Sequence, residues 1–178
     1  MSEYLIQKKL YRAFPKYIPK PISYKKGVMT SVNSGISLKN WFRLKKYNDS
    51  TVFQIIRNIQ LILKKINKKY PNFRHMDLHL GNILINNGKL LITDFGMSKF
   101  TTGRVGYDVH FFLNSLRHQL MKIPRKSPSA LRYLNRVLKQ GMRGSSGKYV
   151  KNFRLKPGVI YNHSESAASI AMRLLKLK

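Results

Sequence analysis

Two apolar triplets, Ile83-Leu84-Ile85 and Leu90-Leu91-Ile92, flank Asn86-Asn87-Gly88-Lys89. Asn-Gly accepts positive φ at both central positions of a tight turn, so the stretch predicts a β-hairpin. A hairpin returns the chain to the place it left. Whatever precedes residue 83 must then sit beside whatever follows residue 92. Before it stands His75-Met76-Asp77-Leu78-His79-Leu80-Gly81-Asn82, and after it Asp94-Phe95-Gly96. The return is predicted to bring Asp77, Asn82 and Asp94 together.

The remaining periodicity is mostly helical. Val52, Ile55, Ile56, Ile59, Ile62, Leu63 and Ile66 recur at helical spacing and predict a long helix over 51–69. Asp49 or Ser50 is expected to cap its start, and Pro71 to close it. A short helix is expected at 3–13, with Leu5, Ile6 and Leu10 on one side. Pro15, Pro19 and Pro21 then impose an extended path. Residues 22–33 read as one or two strands with Val28, Met29 and Val32 apolar. Residues 35–46 read as a turn and a short helix carrying Leu38, Trp41 and Phe42. Two more helices are expected: 108–121 through Val109, Phe112, Leu113, Leu116 and Leu120, and 129–139 through Leu131, Leu134, Val137 and Leu138. A Gly/Ser/basic loop at 140–158 and a last helix at 165–176 behind Ser164 complete the order. The class is α+β, mostly α. With 178 residues the chain suits one domain, 1–178.

Charge is the second constraint. The chain holds 35 Lys plus Arg against 6 Asp plus Glu, a formal net charge of +29. Such an excess repels itself and calls for counter-charge from a polyanion, with nucleic acid or an acidic protein the expected partner. The absence of cysteine excludes disulfides and thiolate metal sites. No apolar run reaches membrane-spanning length and the N-terminus lacks a signal-peptide core, so a soluble intracellular protein is expected.

The acids are Glu3, Asp49, Asp77, Asp94, Asp108 and Glu165, so three of the six fall in or just after the central constellation. Phosphoryl transfer asks for metal ions on phosphate oxygens and a carboxylate that orients the attacking hydroxyl. Asp77 suits the second task. Asn82 and Asp94 offer the hard oxygens that magnesium prefers. His79, His110, His118 and His163 show no metal-ligand spacing, and surface or packing roles are expected of them. Residues 141–148, Gly-Met-Arg-Gly-Ser-Ser-Gly-Lys, fail as a phosphate-binding P-loop. Five residues separate the outer glycines, and Tyr149 stands where Ser or Thr should be.

These residues resemble the protein-kinase-like superfamily. HMDLHLGNILI is similar to its catalytic loop and ITDFG to its metal-binding motif, in a version closest to the atypical branches. The resemblance implies Asp77 as catalytic base and Asn82 and Asp94 as ligands of magnesium and ATP. It implies His75, Phe95 and Gly96 as supports of the loop, and Asp108 as the buried acid that holds its backbone. It implies a helical C-terminal lobe at 35–178, with a basic C-terminal part, and a reduced N-terminal β portion and hinge at 1–34. Glu3 would end the regulatory helix. The chain departs from the pattern in four ways. It has no Gly-rich loop, no recognisable nucleotide-pairing Lys, Met76 in place of an Arg, and only thirteen residues between Asp94 and Asp108. A partner chain is one source of a missing lobe. Two functions remain open: a minimal phosphotransferase, or a basic structural or nucleic-acid-binding protein on a degenerate (pseudokinase) scaffold, such as a component of a large DNA virus's virion.

Overall fold

The longest element, α3 (Asp49–Lys69), organises the rest. One stripe of it, from Val52 through Ile59 to Ile66, is buried in a single apolar cluster. The computed structural model describes residues 2–25, 28–101 and 107–141. Around α3 stand α1 (Glu3–Ala13), α2 (Leu38–Leu44), α4 (Tyr107–Leu120) and α5 (Pro128–Gly141). The strands are β1 (Pro21–Lys25), β2 (Val28–Ser31), β3 (Ile36–Ser37), β4 (Phe73–Arg74), β5 (Ile83–Asn86), β6 (Lys89–Ile92) and β7 (Lys99–Phe100). They form three small antiparallel sheets, β1-β2, β3-β5-β6 and β4-β7. The fold is α+β with helix dominant, as a reduced kinase-like domain requires. Among the described residues no helix is long and apolar enough to cross a membrane.

The hairpin forms as its sequence predicts. Ile83 pairs with Ile92, and Asn86 with Lys89. Asn87 and Gly88 make the turn at φ 47° and 75°, the positive values that favour Asn-Gly. β3 joins its far edge because Gly35, at φ +109°, lets the backbone approach closely; a Cβ there would lie 2.3 Å from the Ile85 carbonyl oxygen. On the other side, the Ile92 N–H donates to the Tyr17 carbonyl at 2.8 Å and ties the α1–β1 connection to the hairpin.

Two expectations need correction. α3 is capped by Asn48, whose Oδ1 accepts the Thr51 N–H at 3.0 Å, and not by Asp49 or Ser50. Asp49 is instead the first helical residue, and its carboxylate accepts N–H bonds from Ser129 at 3.2 Å and Ala130 at 2.8 Å. It thus caps α5 from 80 residues away and sets a charge at the positive end of that helix. Leu5 is 52% exposed. α1 buries Ile6, Gln7 and Leu10, and the Gln7 amide donates to the Pro19 carbonyl at 3.0 Å. α5 runs to Gly141, past the expected start of the loop at 140–158; the rest of that loop and the helix at 165–176 lie outside the described residues.

Asp49→Ala should destabilise the protein by about 1–2 kcal/mol, the usual cost of a lost cap, while Asp49→Asn should lose less than half of that. Urea midpoints measure both. A shift within error for the alanine variant would show that the long-range cap contributes nothing.

Candidate functional site

The stretch from His75 to His79 leaves β4 without regular structure before a single 3-10 turn, Leu80–Asn82, leads into β5, so its backbone groups need partners elsewhere. Asp108, in the first turn of α4, supplies them. Its Oδ2 accepts the His75 N–H and its Oδ1 the Met76 N–H, each at 2.9 Å. Held on this fork, Met76 adopts φ 70°, a value non-glycine residues rarely take. The Leu80 N–H finds Ser115 Oγ of α4 at 3.2 Å. Arg74 is buried beside Asp108 and donates to the carbonyls of Pro71 and Phe73. Burial pushes its guanidinium pKa down, and Asp108 opposes that push.

His75 is the crosslink. Its ring is fully buried, 5.2 Å from that of Phe95. Nε2 lies 3.0 Å from the Thr93 carbonyl, which assigns the proton to Nε2. Nδ1 has no partner. Ser98 Oγ donates to the His75 carbonyl at 3.2 Å. Burial holds the imidazole pKa below its ordinary value, against the opposing pull of Asp108, the Thr93 carbonyl, Asp94 and Asp77. The folded state therefore binds this proton less readily than the unfolded chain. Stability is full above the unfolded value near 6.5 and is lost as pH falls from there toward the depressed folded value. His75→Gln should flatten the dependence of the unfolding midpoint on pH below about 6.5. An unchanged slope would show that His75 does not carry it.

Asp77 and Asn82 stand in contact just before the hairpin, and Asp94 follows just after it. Asn82 is 6% exposed. Its Nδ2 donates to the Asp77 carbonyl at 2.9 Å and reaches Asp77 Oδ2 at 3.3 Å. The Thr93 N–H donates to the Asn82 carbonyl at 3.0 Å, which extends the β5-β6 ladder by one rung and leaves Asp94 as the next residue. Asp94 is exposed, at φ 61°, and Oδ1 accepts a long bond from the Gly96 N–H at 3.4 Å. Phe95 is fully buried against Phe73 and His75. A Cβ on Gly96 would lie 3.5 Å from Asp94 Oδ1 and 3.7 Å from Glu3 Oε2, so the Glu3 carboxylate faces this motif. Burial raises the Glu3 pKa, the negative charge of Asp94 raises it further, and the Phe95 N–H pulls it back. Among the described residues no lysine pairs with Glu3.

The donor set can be tested against magnesium. Asn82 spends its amide nitrogen on Asp77 and leaves its oxygen as the available end. Glu3 and Asp94 are like charges held close, which a cation would relieve. No three His, Cys, Asp or Glu side chains among the described residues converge on one point. One amide oxygen and one or two carboxylates fit an ion that keeps its waters and binds largely through phosphate. They do not make an all-protein cage.

His79, expected at the surface or in packing, has a side chain 41% exposed, but the sequence did not disclose its contact with Asp77. Its Nδ1 accepts the Gly81 N–H at 3.0 Å, and its Nε2 lies 3.6 Å from Asp77 Oδ2. A Cβ on Gly81 would come within 2.7 Å of this ring, so the glycine makes room for the histidine. The signal was His and Gly at two and four positions after Asp77 in a tight loop.

The Cydia pomonella Granulovirus kinase PK-1 is a similar solved structure, with 21% identity and a TM-score of 0.44 over 59% of this chain and 41% of that one. The chain thus spans about two fifths of the length of that kinase. Residues 8–122, from α1 to just beyond α4, match the family model of the ABC1 atypical kinase-like domain, and with more than half its length so matched the chain belongs to that family.

Proposed function

We propose that the chain is a reduced phosphotransferase that uses magnesium-ATP. In this reading Asp77 orients a hydroxyl acceptor, and Asn82 and Asp94 hold the metal. His75, Phe95, Gly96 and Asp108 fix the loop that carries them. Bound magnesium would neutralise charge on the phosphate oxygens. The supporting observation is the Thr93–Asn82 bond, because it joins the two halves of the constellation across the hairpin. The whole chain, 1–178, is read as one domain, with 1–34 as its reduced small lobe and hinge and 35–178 as its helical lobe. A partner chain that completes the small lobe would meet β1-β2, where Ile22 and Val28 are 56% and 66% exposed.

The test is titration of ATP with magnesium. Saturable binding is expected, weakened at least about tenfold in Asp94→Ala, the loss of one charge-assisted contact. No binding at millimolar nucleotide would remove the reading. A second reading keeps the scaffold and drops turnover. There the chain is a polyanion-binding or structural protein, of the kind that packs nucleic acid inside a particle. The fate of the acids supports it: each described carboxylate is engaged in the site, the loop or a helix cap, and none forms an ion pair with a lysine among the described residues.

A further inference from the structure

Five of the six acids lie in the described residues, and each is accounted for. Glu3 faces Asp94 and the Phe95 N–H. Asp49 caps α5. Asp77 and Asp94 form the candidate site. Asp108 holds the loop backbone. None lies within ion-pairing distance of Lys9, Lys65 or Lys69. These three lysines are exposed; Lys9 lies in α1, Lys65 and Lys69 in the last turns of α3, and the Tyr70 ring is common to Lys9 and Lys69.

Aromatic rings hold them there. Lys9 Nζ sits 4.4 Å from the Phe100 ring centre and 5.0 Å from that of Tyr70. Lys69 Nζ is 6.0 Å from the Tyr70 ring, which meets Phe100 edge-on at 6.0 Å. Lys65 Nζ stands over Tyr17 at 4.9 Å and donates to its hydroxyl at 2.6 Å. Cation–π contact with partly buried rings fixes long side chains that would otherwise be loose. Lys65 and Lys69 are one helical turn apart, a spacing at which like charges repel. Three ammonium groups are thus each held on an aromatic ring, two of them on the same Tyr70, and none is ion-paired to a carboxylate among the described residues.

We infer that this α1–α3 face, built on Lys9, Lys65 and Lys69, docks the phosphate backbone of duplex nucleic acid without reading its sequence. The rings argue for duplex over single strand. Single strands are bound by bases stacking on open aromatic faces, whereas here Tyr17, Tyr70 and Phe100 already carry the chain's own lysines. What remains on offer is positive charge at fixed positions, the chemistry of backbone contact. The inference sharpens the polyanion reading and is independent of phosphotransfer.

The experiment follows fluorescence anisotropy of a labelled mixed-sequence duplex, DNA and RNA in separate arms, with the full chain across salt. The triple variant Lys9→Gln, Lys65→Gln, Lys69→Gln should flatten the slope of log K against log salt by about 2–3 and weaken binding at least about tenfold. A control triple on another face, Lys39→Gln, Lys45→Gln, Lys46→Gln, should flatten it by less than about 1. If thermal melting shows the first triple unfolded, Lys69→Gln alone should remove about 1 from the slope. Equal losses in both triples overturn the docking face while sparing the polyanion reading, and absence of duplex binding by the wild-type chain overturns both. Tighter binding of single strands overturns the duplex assignment. Polyglutamate competing as well as duplex at matched charge overturns nucleic acid as the occupant.

Discussion

Asp108→Ala should destabilise the protein by about 3–5 kcal/mol, the usual cost of breaking a buried charged network from one side. Asp108 is 4% exposed and accepts two backbone N–H groups. Alanine leaves the buried His75 donor and the half-buried Met76 donor unpaired, at about 1–3 kcal/mol for the buried one if the loop cannot shift. It also strips Arg74 of the charge that offsets its burial. Against a typical domain stability of about 5–15 kcal/mol, the loss is large enough to unfold a marginal protein. Asp108→Asn keeps one acceptor oxygen and should cost visibly less. Urea denaturation of the two variants gives the comparison. A loss below about 1 kcal/mol for alanine, no more than an ordinary single hydrogen bond, would show that the loop holds its shape without α4.

Asp77→Asn is expected to separate binding from chemistry. The substitution is nearly isosteric, and the Asp77 carbonyl that receives the Asn82 amide is a backbone group the change leaves in place. The loop should therefore keep its form, and nucleotide affinity should stay within about twofold, well under the tenfold of a lost contact. Magnesium-dependent ATP hydrolysis, with water standing in for the acceptor, should fall by about 10²–10⁴, the range for a positioned general base. Equal rates for wild type and variant would remove Asp77 from the chemistry. If neither hydrolyses ATP while both bind it, the scaffold reading gains and the phosphotransferase reading loses.

Some of this architecture was legible because its causes are local. Asn87-Gly88 needs no neighbour to prefer positive φ, and the stripe from Val52 to Ile66 identifies its helix by spacing alone. The family features were legible because Asp77, Asn82, Asp94 and Asp108 occur at fixed separations along the chain. Other features depend on partners far away in sequence. β4 and β7 are two residues long, too short for alternation to register, and exist because Phe73 and Phe100 pair. Asp49 looked like a cap for its own helix, since nothing nearby discloses that Asn48 does that work and that α5 needs the carboxylate. The contact of His79 with Asp77 was not legible because it arises from loop curvature. Leu5 was misplaced because α1 buries Gln7, whose amide nitrogen donates to a carbonyl twelve residues on.

The clasp between Asp49 and the start of α5 has a kinetic corollary. Closing a loop of 80 residues must be paid in chain entropy before the contact returns anything, so this tie should form after the folding transition state. Removing it should then leave the refolding rate nearly unchanged and accelerate unfolding. α5 would be the first helix to detach when the protein opens, and the point from which partial unfolding spreads into the stripe of α3 beneath it.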